Sequence, residues 1–203
     1  MSNVTETEYK PKIGITMGDV NGIGPEIIIK TFLDQRLLST CVPVIYGSSK
    51  VLSYHRKALN ISEFNFNTIR YIDEASNKKP NLINCWEEDV KIDLGKSNAI
   101  GGKYALKSLQ AAGKDLLEKK IDGLVTAPID KNAIQSDGFR FAGQTEFFAQ
   151  LCNVNEFAMM MVSEKLRVSC KTKSVTLYGI FINRRSNKSV NFLFQQIFSG
   201  SLQ

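Results

Sequence analysis

Four short constellations carry residues able to do chemistry. The first is Gly18, Asp19, Asn21, Gly22, Gly24, Pro25 and Glu26. Glycines let a backbone approach a ligand closely, and a helix opening behind them offers unpaired N–H groups to an anion. Asp19 or Asn21 can hold a hydroxyl or an amide. No Gly-Lys-Ser/Thr follows, so this is not a Walker A loop. Gly22 and Gly24 lead into Glu26 and Ile27, so it is not the dinucleotide G-x-G-x-x-G either. A tight structural turn has the same composition. The second constellation is Thr126-Ala127-Pro128-Ile129-Asp130-Lys131. Lys131 can neutralise a phosphate or carboxylate and Asp130 can orient it; a surface ion pair is the plainer alternative. The third is Gly143-Gln144-Thr145-Glu146. Gln144 and Thr145 can hydrogen-bond substrate oxygens, and Thr145 can equally cap a helix. The fourth is GKSNAIGGK at 95–103. There Lys96 or Lys103 can meet an anion beside Gly101 and Gly102, or the segment is a flexible loop and cap.

The missing groups narrow the chemistry. His55 is the sole histidine and falls inside a predicted helix, where a structural role is expected. There is no H-E-x-x-H, no cysteine cluster and no pair of histidines, so the usual nitrogen or sulfur zinc site cannot be built within one chain. No G-x-S-x-G elbow appears. Cys41, Cys85, Cys152 and Cys170 are far apart in sequence, which reads as free thiols in a reducing compartment.

The elements that must position these residues alternate. KIGITM at 12–17 reads as a strand, followed by a glycine turn and a helix to Leu38. Pro25 and Glu26 suit the first turn of that helix. VPVIY at 42–46 reads as a second strand and 49–59 as a helix. FNFNTI and NLINCW, within 60–98, read as short extended pieces. The helix over 101–118 repeats Ala105, Leu109, Ala112 and Leu116 at helical spacing. A strand at 121–126, a helix at 144–152 and a strand at 157–162 follow. Strand and helix in alternation predict an α/β fold.

The chain has 203 residues, 43% hydrophobic and 23% charged, values that exclude global disorder and a staple-dependent scaffold. The net charge of +6 misleads. Seven basic residues and no acidic one follow Glu164, which leaves 19 basic against 20 acidic residues in the first 164. A basic balance resting on one tail is not a nucleic-acid footprint. MSNVTETEYKPK lacks the apolar stretch of a secretory leader, and no apolar run reaches the ~20 residues that span a bilayer. The expectation is a cytoplasmic protein with no membrane or nucleic-acid partner.

Taken together, the blocks resemble the 4-hydroxythreonine-4-phosphate dehydrogenase family of pyridoxal phosphate biosynthesis. They are KIGITMGDVNGIGPEIIIKTFLD at 12–34, LGKSNAIGGKYALKSLQAA at 94–112, DGLVTAPIDKNAIQSDG at 122–138 and FAGQTEFFAQL at 141–151, with FAMMMVSEKLRV at 157–168. The resemblance implies an α/β/α sandwich of the isocitrate/isopropylmalate dehydrogenase-like type, working as a homodimer. It implies NAD or NADP as cofactor and a divalent metal held by three histidines. The substrate, a phosphorylated hydroxy amino acid (4-phosphooxy-L-threonine), is oxidised and decarboxylated to 3-amino-2-oxopropyl phosphate.

Carried over residue by residue, the family's His-Thr substrate pair falls on Gln144 and Thr145. Gln144 keeps a hydrogen-bond donor and loses the ionisable ring. Asp130 and Lys131 fall in the family-like block at 122–138. The first metal histidine falls near Ser174, where the family pattern is lost. The cofactor and metal are therefore not expected to bind this chain, and it is expected to be inactive as it stands, a non-catalytic fragment with at most weak phosphometabolite or homologue binding. The organisation expected is a flexible arm over 1–11, a first α/β domain over 12–125 lacking its C-terminal contribution, the start of a second over 126–168, and an aberrant, poorly ordered basic tail over 169–203. A change of reading frame near residue 169 accounts for the tail, and poor solubility or partial folding is expected with it.

Overall fold

In a computed structural model, the described residues are 9–135, 139–154, 157–163, 166–171, 177–178 and 195–196. Most of the arm and most of the tail, Ser174 included, lie outside them. The chain forms two compact units, Met1–Arg140 and Phe141–Gln203.

The first unit is an α/β sheet. Its strands are β1 (Lys12–Thr16), β2 (Val42–Gly47), β3 (Asn67–Ile69), β4 (Asn81–Asn84) and β5 (Gly123–Thr126). They lie in the order β3-β4-β2-β1-β5, and every pairing is parallel. Ile15 sits opposite Ile45 on one side and Val125 on the other. The helices are α1 (Gly24–Thr31), α2 (Leu37–Thr40), α3 (Ser49–Ala58), α4 (Ala99–Leu117) and α5 (Lys131–Gln135). Parallel sheets need both faces covered, and β2 shows how this one achieves it. Ile45 packs into a core with Ile15, Met17, Ile28, Ile29, Leu52 and Trp86. Its neighbours Val44 and Tyr46 point into the other core, against Ala112 and Ile121. Period-two alternation thus feeds two cores from one strand.

The helix expected to run to Leu38 is two. It stops at Phe32, and the Asp34 carboxylate accepts from the Arg36 backbone N–H at 3.0 Å. That local Asx-type bond offers the backbone an alternative to the helical ladder. The helix expected from residue 101 begins at Ala99, because Asn98 caps it by accepting from the Gly101 N–H. The two short extended pieces within 60–98 are β3 and β4.

The second unit contains α6 (Gln144–Leu151) and an antiparallel pair, β6 (Ala158–Val162) with β7 (Arg167–Lys171). Two-residue strands β8 (Leu177–Tyr178) and β9 (Gln195–Gln196) flank that pair. Edge-to-face contacts join Phe141 to Phe147 and Phe147 to Phe148. α5 packs directly on α4, within the unit that ends at Arg140. β7 carries regular structure to Lys171, three residues past the last family-like block.

Candidate functional site

Three of the four constellations meet at the carboxyl end of the parallel sheet, where open α/β sheets hold their ligands. The first is the loop after β1. Its Met17 N–H donates to the Tyr46 carbonyl and to Ser108 Oγ of α4, and that hydroxyl in turn donates to the Tyr46 carbonyl at 2.7 Å. Gly18 then turns with φ +72°, and a Cβ there would strike the Pro128 carbonyl oxygen. Asp19 N–H donates to that same carbonyl at 3.1 Å. A left-handed, backbone-to-backbone contact of this kind requires glycine. The β1 loop and the loop after β5 are joined by it.

The third segment, 93–102, is joined by Asn21. Its Oδ1 accepts from Asp93 N–H at 2.9 Å, its carbonyl accepts from Gly95 N–H at 2.8 Å, and its Nδ2 donates to Asn98 Oδ1 at 3.0 Å. Gly101 and Gly102 lie in the first turn of α4. A Cβ on Gly101 would meet the Asp19 carboxylate, and one on Gly102 would meet the Ala133 carbonyl of α5. Their absence of side chain lets all three segments close.

The charges inside this closure are unequal. Asp19 is 7% exposed, and its Oδ1 accepts from Asn21 N–H at 2.8 Å. Burial raises its pKa, the Asn21 N–H opposes the rise, and the charge on Asp130 adds to it. Asp130 caps α5 by accepting from Ala133 N–H at 2.9 Å. That bond, with one from the Ser97 hydroxyl, holds its carboxyl below the usual range. One carboxylate is thus committed to its charge while its neighbour is pressed toward the neutral form, a pattern that marks functional clefts.

The other predicted residues are placed as follows. Gly22 N–H donates to the Asp19 carbonyl, and Gly24 lies against the Met17 carbonyl and Ala127. Lys131 and Lys96 are exposed. Lys103 is also exposed, its Nζ 5.6 Å from the Tyr104 ring centre. Gln144 and Thr145 open α6 in the second unit, half-buried; the cap is Gly143, so Thr145 is not the helix cap. Sequence reasoning missed Ser108, Ser97 and the part played by Asn98. Only Asn98 had a signal, an asparagine directly before a helical apolar pattern.

His55 is buried, as a structural histidine should be, with Nε2 2.8 Å from the Val20 carbonyl. Burial lowers its pKa. Among the described residues no three His, Cys, Asp or Glu side chains come together as a metal-binding group. No helix there is long and apolar enough to cross a membrane.

The model of the family "Pyridoxal phosphate biosynthetic protein PdxA" matches residues 39–191. A 4-hydroxythreonine-4-phosphate dehydrogenase of Bacteroides thetaiotaomicron is 42% identical over 174 residues, 85% of this chain and 48% of that protein. A D-threonate 4-phosphate dehydrogenase of Cupriavidus necator is 33% identical over 174 residues, 84% of this chain and 52% of that one. The crystal structure of a 4-hydroxythreonine-4-phosphate dehydrogenase from Burkholderia phymatum aligns with a TM-score of 0.73 at 31% identity, over 79% of this chain and 49% of that one. The chain spans about half the length of the curated relatives it matches. The parallel sheet with helices on both faces is the architecture of those solved structures, the isocitrate/isopropylmalate dehydrogenase-like type expected from the sequence. The family model spans well over half of these 203 residues: the chain belongs to the PdxA family.

Proposed function

We propose that these 203 residues hold the ligand-binding framework of a 4-hydroxythreonine-4-phosphate dehydrogenase and do not themselves carry out its reaction. That reaction is the NAD(P)-dependent oxidation and decarboxylation of 4-phosphooxy-L-threonine, in the pathway to pyridoxal phosphate. The framework is the loop closure around Asp19, Asn21 and Asp130, with Lys131 as a candidate contact for a phosphorylated hydroxy acid; Gln144 and Thr145 of the second unit are a separate candidate pair.

One observation carries the reading. The resemblance implies a divalent metal held by three histidines, whereas these residues include one, buried against the Val20 carbonyl. Gln144 falls where the resemblance implies a histidine and supplies no ionisable ring. The residues present do not fit that metal centre. They can bind and orient a ligand: backbone N–H groups and Lys131 for its phosphate, amide and hydroxyl groups for its oxygens. Losing one such electrostatic group commonly costs about 10²–10³-fold in rate.

The test pairs two measurements on the purified chain. Reduced-nicotinamide absorbance is followed with 4-phosphooxy-L-threonine, NAD or NADP, and added magnesium or zinc. Calorimetric titration with the same substrate measures binding. Weak binding with no turnover is expected. Turnover that EDTA abolishes would overturn the reading. A second substrate deserves the same assay, because a relative at 33% identity is named a D-threonate 4-phosphate dehydrogenase.

A further inference from the structure

The loop that holds Asp19 and Asn21 has an attachment on its far side. Val20, between them, is fully buried, and its carbonyl accepts from the ring of His55 on α3 at 2.8 Å. His55 is itself 4% exposed, with the Tyr54 ring edge-on at 5.9 Å. An imidazole that donates Nε2–H to a carbonyl while neutral carries no hydrogen on Nδ1. Protonation adds one, together with a charge, in a place closed to water.

We propose that the His55–Val20 contact is an acid-released latch on the β1–α1 loop. In the neutral form it clamps the loop to α3. In the protonated form the ring leaves its buried seat for solvent, and the loop loses its anchor while the sheet stays folded. The surroundings do little to hold the charged ring. On the elements packed against α3, the ionisable groups are Glu26 and Lys30 of α1, which pair with each other, and β4 has none. Asp19 is next to Val20 but bonds back to Asn21. On α3 itself Arg56 and Lys57 add like charge, and Lys50 is paired with Asp89 of the segment after β4. The bond to the Val20 carbonyl and, after it, Glu26 favour the charged ring, and burial outweighs both. The proposal concerns the loop's order and holds whether or not the chain turns over a substrate.

Because His55 is the only histidine, its ring can be titrated alone by NMR. Protection of the Asn21 and Gly22 amides, whose bonds lie within the loop, is followed in parallel with that of β2 amides. The expected result is a ring midpoint below the ordinary histidine value, with loop protection falling about tenfold per pH unit beneath it and β2 unchanged. His55→Gln keeps an N–H donor that does not titrate, and should remove the pH dependence. Loop protection that ignores the ring's titration in the native chain overturns the latch. So does an unchanged pH profile in H55Q, which would assign the effect to Asp19. Should H55Q not fold, the native titration decides alone.

Discussion

Asn98 Oδ1 accepts two hydrogen bonds at once, from Asn21 Nδ2 at 3.0 Å and from the Gly101 N–H at 2.9 Å. One oxygen therefore caps α4 and ties its start to the loop after β1. Asn21 completes the tie through its Oδ1, which takes the Asp93 N–H. It is 2% exposed, so no water stands ready to replace those partners. Asn21→Ala is expected to cost about 1–3 kcal/mol, read from the urea midpoint. Amide exchange should quicken at Asp93, Gly95 and Gly101 before it does in β2. Equal loss of protection everywhere would show that Asn21 serves global stability and not this junction.

Asp19 supplies a pH test whose sign is the reverse of the usual carboxylate. Its folded pKa is raised, chiefly by burial. The folded state therefore keeps a proton that the unfolded state gives up, and stability is lost as pH climbs from the unfolded value of 3.8 through the raised one. Asp19→Asn keeps the oxygen that accepts from Asn21 N–H and removes the charge. The variant should be more stable than the parent at neutral pH and equal to it in acid, measured as thermal midpoints across pH. A parent more stable than D19N at neutral pH would mean the carboxylate has a compensating partner. Stability gained by deleting a buried charge is common at functional sites, where activity and stability pull apart.

The glycines divide by what their missing side chains would meet. At Gly102 a Cβ runs into the Ala133 backbone, which α5 cannot move without leaving α4. At Gly95 nothing lies within 4 Å and only the positive φ of 73° resists. Gly102→Ala is expected to cost about 1–3 kcal/mol through overpacking, Gly95→Ala about 1 kcal/mol through backbone strain. Chemical denaturation of both variants checks the order, and a reversal would show that α5 docks elsewhere in solution.

Much of this was legible from residue types. VPVIY was readable as a strand, and the spacing in α4 announced its buried stripe. Turn chemistry showed less. Asp34 ended a helix whose apolar pattern runs on to Leu38, because a short carboxylate competes locally with the ladder. The site was legible in pieces only. Gly18, Asp130 and Gly101 are far apart in sequence, and nothing in their local patterns says that Pro128 accepts from Asp19 or that Gly101 leaves room for its carboxylate. Ser108 had no signal at all, being one small residue on a helix face. Its role exists only once β1 and β2 lie side by side.

The edge of the sheet yields the last expectation. Among the described residues β5 pairs only with β1, and its sequence, GLVT, has no charge, proline or bulge to discourage a further strand. Val125 is 55% exposed on it. Such an edge is a template for pairing with another chain. The purified protein should therefore associate with rising concentration in analytical ultracentrifugation. Val125→Lys should suppress that association while altering stability by no more than about 0.5 kcal/mol, because an exposed side chain is exchanged for a solvated one. If association persists in V125K at equal stability, the contact does not form at β5, and the apolar surface of the second unit becomes the place to look.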